Sequence, residues 1–144
     1  GRVRLSNIDC PFRSAMAVVE SFESDVRVIL VDFHAEDAEE KEAMGHYLAG
    51  KVSVVSCSHT HIQSADERII DDATAYISDL GMTGPVDSVI GFNPEIALER
   101  MVTQMPHKMQ VSEARAAIRG VYVEIDERTG KAVRIERIDV VPEL

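Results

Sequence analysis

The chain has 144 residues, 45% of them hydrophobic and 28% charged, and a formal net charge of −10 at neutral pH. That length suits one domain, residues 1–144, able to bury about two-thirds of its unfolded surface. The acidic balance argues against duplex nucleic acid as a partner, since affinity for phosphate backbones comes from clustered Lys and Arg, yet it admits a small anionic substrate held through bound cations.

The chain begins at Gly1 rather than Met, which reads as a piece of a longer protein. Nothing at its start has the order of a signal peptide, and no apolar run reaches the length of a membrane span. Asp9 can cap a helix in "DCPFRSAMAVVESF", with Pro11 in its first turn. The apolar run 26–33, "VRVILVDF", predicts a strand that ends beside His34. Ala35 to Ala49 is rich in Ala, Glu and Lys and predicts a helix closed by Gly50. Its charge run "EDAEEKE" reads as a solvated face with acids suited to a helix N-terminus. "KVSVVSC" is the next strand, and "SCSHTHIQSAD" follows it with His59 and His61 one residue apart.

A strand around "TAYISDL" precedes the loop "GMTGP", which lacks the phosphate-loop pattern and reads first as a turn. Asn93 and Pro94 open a further helix. Its "RMVTQMPHKM" end reads as core and helix terminus. "GVYVEIDERTGKAVRIERI" reads as a hairpin turning at Gly130. Cys10 and Cys57 show no C-x-x-C spacing and read as small buried hydrophobes in a reducing cytoplasm, the expected compartment.

The order is α/β with an antiparallel tail. Residues 26–57 fit a βαβ unit whose parallel strands point their carboxyl ends the same way. His34, His59 and His61 would therefore gather at the sheet edge where open α/β sheets bind ligands. In extended chain, residues i and i+2 face one side, so the two neighbouring imidazoles could share one metal or serve two. Asp32, two residues before His34, could orient an imidazole from behind. His46 and His107 lack such a setting.

"VDFHAE", "HTHIQSADERI" and "YISDLGMTGP", in that order and spacing, resemble the carboxyl half of the YmdB-like branch of the calcineurin-like metallophosphoesterases. The resemblance runs along nearly the whole chain. It implies the carboxyl half of an αββα sandwich of two mixed sheets, carrying a two-metal centre of iron or manganese, with zinc as a further option. It implies hydrolysis of phosphodiesters, with 2′,3′-cyclic nucleotides as the associated substrates. His34 and His59 would bind one ion and His61 the other. Asp32, Glu36 and Thr83 would back the ligands or border the cleft.

Two departures stand out. Cys57 sits where the family usually has glycine, and packing is the favoured reading over an extra ligand. The aspartate, bridging glutamate and Asn-His pair of the family's amino-terminal half are not found here; Asn7 and Asp9 lack the Asn-His adjacency. The catalytic residues are therefore expected in that other half, and this chain alone is expected to be inactive. A dimeric interaction module pairing through an exposed sheet edge, and a mononuclear zinc hydrolase using all three histidines, are the competing readings.

Overall fold

The structure, a computed structural model, describes residues 1–3 and 7–142. Helix α1 (Pro11–Ser21) starts on an extended Cys10, with Pro11 in its first turn. The N-cap is thus Cys10 and not Asp9, and no side chain closes it. Strand β1 (Leu30–His34) is followed by helix α2 (Ala38–Leu48) and strand β2 (Val54–Ser58). Asp37 caps α2 by accepting from the Glu40 amide, and Gly50 takes the left-handed backbone (φ 73°) expected just past a helix end. Strands β3 (Arg68–Ile70) and β4 (Thr74–Ile77) come next, then the two-residue strand β5 (Gly84–Pro85). Asn93 caps helix α3 (Pro94–Thr103), accepting from Glu95 and Ile96 amides. The long hairpin β6 (Ala116–Ile125) and β7 (Ala132–Val140) closes the fold.

Two sheets result, one ordered β1-β2-β4-β3 and the other β5-β6-β7. β1, β2 and β4 run parallel, β3 antiparallel, and the second sheet is antiparallel throughout. The α/β class, the β1-α2-β2 unit and the hairpin therefore stand as the sequence predicts. β1 begins four residues later than expected because its one neighbour, β2, offers no paired residue before Val54.

Alternation along β2 divides its side chains between two cores. Val55 and Cys57 join Phe33, Ile70 and Tyr76 beneath Met44 and Leu48 of α2, with Phe12, Met16 and Val19 of α1 packed alongside. Val54 faces the other way, with Ala75, against Ala132, Val123, Ile125 and Ile135 of the hairpin. The hairpin is also tied to β2 by the Ser53 hydroxyl, which donates to the Gly130 carbonyl at 2.6 Å.

Three expectations are corrected. The acidic run of α2 is not wholly solvated, for Glu40 and Lys41 are buried; each has a partner that offsets desolvation, described below. The methionine stretch ends α3 as expected but does not enter the core: Met101 is 67% exposed, and Met105 nearly as much. Cys57 is fully buried, whereas Cys10 is only half-buried.

Gly45 lets α2 lie directly on β4. A β-carbon there would come within 2.6 Å of the Tyr76 ring, and Tyr76 is itself fully buried. Gly45→Ala is expected to lower stability by about 1–3 kcal/mol through overpacking, despite the better helix propensity of alanine. A reduced denaturant midpoint with an unchanged slope would confirm it; an unchanged or higher midpoint would contradict it.

Candidate metal centre

β1 and β2 are paired in register from Leu30↔Val54 to His34↔Ser58. His34 thus ends one strand directly opposite Ser58, and His59 follows just past the end of the second strand. The His34 Nδ1 lies 3.1 Å from the Ser58 hydroxyl, and its Nε2 lies 3.3 Å from His59 Nδ1. The two rings cross at 73°, centroids 5.2 Å apart.

That separation can be tested against metal chemistry. Two imidazole nitrogens bound to one tetrahedral ion at about 2.0–2.1 Å would lie about 3.3–3.4 Å apart. His34 Nε2 and His59 Nδ1 fit that spacing. With Ser58 accepting from Nδ1 of His34, the lone pair of that ring is left on Nε2, facing His59.

His61 does not join them. Among the described residues, no three His, Cys, Asp or Glu side chains are grouped closely enough to hold one ion. A mononuclear three-histidine centre therefore lacks its third ligand. The physical reason lies in the backbone. Residues 59–62 form a bend rather than extended chain, and His61 adopts φ 66°, so the same-side geometry of neighbours i and i+2 does not apply. His61 is exposed and lines a separate cavity, and its carbonyl accepts from the Met82 amide at 3.1 Å.

The supporting residues expected around the histidines sit elsewhere. Asp32 shares the exposed face of β1 with His34 but has no hydrogen bond among those of the described residues; Ser58 takes the orienting role instead. Asp32 borders an apolar groove between β1 and α1. Glu36 is exposed and lies before the helix cap. Thr83 joins its loop to β6, its hydroxyl donating to the Arg119 carbonyl and accepting from the Arg119 amide. His46 is exposed on α2, and His107 lies 3.7 Å from Glu99.

The residue the sequence does not advertise is Asp79. Its Oδ2 accepts from the Thr60 amide at 2.7 Å and the Thr60 hydroxyl at 2.9 Å, while Oδ1 accepts from the Gly81 amide. Lys41 Nζ reaches the same Oδ2 at 3.3 Å, both side chains being almost wholly buried at 3% and 4% exposure. Thr60 lies between His59 and His61, so this carboxylate fixes the turn that aims both rings. Burial pushes the Asp79 carboxyl upward, but the bonds from Thr60, Gly81 and Lys41 outweigh it and hold the group below its ordinary value. Cys57, next to Ser58, has its thiol pushed up to about 12 by burial. It stays protonated and packed, which suits a core residue rather than a ligand.

The parallel strands, the imidazole pair at their carboxyl ends and the flanking antiparallel hairpin define the architecture of a phosphatase-type α/β sandwich. Residues 1–138 match the YmdB-like protein family, and the chain belongs to it. The chain is 43% identical over 138 residues to the 2′,3′-cyclic-nucleotide 2′-phosphodiesterase of Bacillus subtilis (strain 168), covering 96% of this chain and 52% of that protein. It is 37% identical over 132 residues to a putative phosphatase/phosphodiesterase of Mycoplasma pneumoniae, covering 91% and 46%. Among solved structures, a hypothetical protein from Thermus thermophilus superposes with a TM-score of 0.88 at 31% identity, over 99% of this chain and 55% of that one. A novel phosphatase from Mycoplasma pneumoniae gives 0.83 at 37%, over 91% and 46%. The chain thus spans about half the length of the relatives it matches. No helix among the described residues is long and apolar enough to cross a membrane.

Asp79→Asn is expected to cost about 3–5 kcal/mol, because it strands the buried Lys41 ammonium. Adding Lys41→Met should recover part of the stability without restoring order in the 59–62 turn, which denaturation and amide exchange at Thr60 would separately record. Because the folded carboxyl is held low, its contribution is full above the ordinary carboxylate range. It is lost as pH falls through the lowered value. Amide protection at Thr60 should fall along that acid limb; protection unchanged down to the acid transition of the whole fold would contradict the assignment.

Proposed function

We propose that this chain is the carboxyl part of a metal-dependent phosphodiester hydrolase acting on 2′,3′-cyclic nucleotides. The observation that carries the reading is the ligand-like approach of His34 Nε2 and His59 Nδ1 at the carboxyl ends of two parallel strands. The phosphodiesterase relative supports the substrate class. His34 and His59 would hold one divalent ion, with iron, manganese and zinc all compatible with imidazole, and His61 would serve a second. When bound, such ions supply Lewis-acid neutralisation of phosphoryl charge and a more acidic water.

The chain's own residues contribute positioning. Ser58 holds His34 in the tautomer that presents Nε2. Asp79, through Thr60, holds the turn that presents His59 and His61. The remaining ligands and the general acid would come from outside residues 1–144, in the amino-terminal half of a protein about twice as long. Two features support an approach of that half along β1. The strand is a sheet edge, with Leu30 69% exposed and an opening of about 510 Å³ between the sheets, walled by Leu30, Val54, Leu80 and Val121. Near the histidines, the Arg2 and Val3 amides donate to the buried Glu40 carboxylate, which ties the segment ahead of α1 to α2. On this reading the isolated chain turns over no substrate.

The test is made on the full-length protein. His34→Ala or His59→Ala should abolish cleavage of a 2′,3′-cyclic nucleotide and reduce bound metal. Ser58→Ala should leave the fold intact while weakening metal affinity about 10–100-fold, measured by chelator competition. Full-length protein that cleaves the substrate equally well with either histidine replaced would overturn the proposal. So would turnover by the 144-residue chain alone.

A further inference from the structure

Beside His61, proposed above to serve a second ion, lies a cavity. It measures about 290 Å³ and is lined by His61, Gln63, Met82, Val86, Arg119 and Arg137, among others. That is the small end of the range of ligand pockets, suited to a fragment with one or two rings.

Its polar groups are held in fixed directions. The Gln63 amide nitrogen lies within hydrogen-bond distance of three carbonyls, those of Leu80 at 3.3 Å, Gly120 at 3.0 Å and Ile138 at 3.1 Å, among which its two hydrogens are shared. Three acceptors around one end of the amide admit only the NH2 group there. The Gln63 oxygen is thereby turned away from them. It has no hydrogen bond among the described residues, and Gln63 lines the cavity.

Arg119 is fixed through Nε to Asp139 at 3.1 Å. Arg137 is fixed through Nε to Glu67 at 2.8 Å, which leaves the terminal nitrogens of Arg137 without a protein partner among the described residues. The cavity thus offers a fixed acceptor, fixed planar guanidiniums with spare donors, and an apolar wall from Met82 and Val86. A flat heteroaromatic ring bearing both donors and acceptors on its edge matches that set. Guanidinium planes stack on such rings and donate to their acceptors. A bare phosphate would leave the apolar wall and the Gln63 oxygen unused. It would also meet Asp139, a carboxylate of the lining that already pairs with Arg119.

We propose that this cavity seats the nucleobase of the substrate and sets the preference for nucleotides over other phosphodiesters. The proposal rests on the phosphodiesterase reading for the location of the phosphate, beside the histidines, and adds the base subsite next to His61.

The experiment compares two substrates on the full-length protein: a nucleoside 2′,3′-cyclic phosphate and a base-free five-membered cyclic phosphate, that of glycerol. The wild-type protein should favour the nucleotide in kcat/KM. Val86→Trp, which fills the cavity, and Arg137→Ala, which removes its donors from an exposed strand position, should each lower the ratio of nucleotide to base-free kcat/KM about tenfold, through KM. A ratio unmoved by both variants overturns the subsite, while turnover itself upholds the hydrolase reading. If neither substrate is cleaved, calorimetric binding of a nucleoside monophosphate decides. Binding lost in Val86→Trp keeps the subsite without the reaction, and no binding by the wild type removes both.

Discussion

One buried carboxylate couples the helical layer to the turn that carries two candidate ligands. Asp79 leaves the end of β4, meets Lys41 from α2 inside the protein, and with the same oxygen grips both polar atoms of Thr60. Such a pair adds little net stability, since desolvating two charges roughly cancels their attraction. What it adds is direction. An ammonium that must find its carboxylate fixes the rotation of α2. That carboxylate, once fixed, can accept from Thr60 in only one arrangement of residues 59–61. The close contact of Gly45 with the Tyr76 ring sets the height of the helix over the sheet in the same way. Core packing and site geometry are therefore one constraint.

The two cores explain why a chain spanning about half the length of its relatives holds the imidazole pair in so definite a place. The β1-α2-β2 unit buries its helix-facing side under α2, and the other face of β2 is covered by the hairpin. Both strands that bear His34 and His59 are thus positioned by contacts within the chain. One exposed apolar region lies at the β1 edge, where Leu30 and the apolar groove against α1 meet solvent. An open strand edge with apolar flanks is a surface that proteins ordinarily cover. The chain positions the imidazole pair by its own packing and leaves the β1 edge open beside it.

Local rules were enough to read the strand-helix-strand unit, the Asn93 cap and the final hairpin, because each is fixed by neighbours in sequence. His34 and His59 were legible for the same reason: parallel strands joined by a helix must end at one edge. Long-range pairings were not. Lys41 sits inside a run of acids that looks solvated, and only the fold reveals that Asp79, 38 residues away, draws it inward. Asp32 satisfied the period-two rule as the partner of His34, yet the nearer cross-strand neighbour, Ser58, takes the bond. The trio became a pair because the i and i+2 rule holds for extended chain, and the grip on Thr60 bends the backbone away from it.

The same alternation settles the role of Cys57. Cys57 and Ser58 are adjacent, so they face opposite sides of β2. Ser58 looks towards His34 across the strand pair, while Cys57 looks into the helical core, fully buried, its thiol pushed up to about 12. A thiol two residues from a candidate ligand, facing the same way, would compete for an ion as thiolate. Here the pleat turns it to the wrong face, and the low-dielectric core keeps its proton on. The core beneath α2 takes the side chain up as one more apolar contact. Inertness follows from a displacement of one residue along the strand: the same thiol at position 58 would stand opposite His34, on the face from which Ser58 now orients the imidazole.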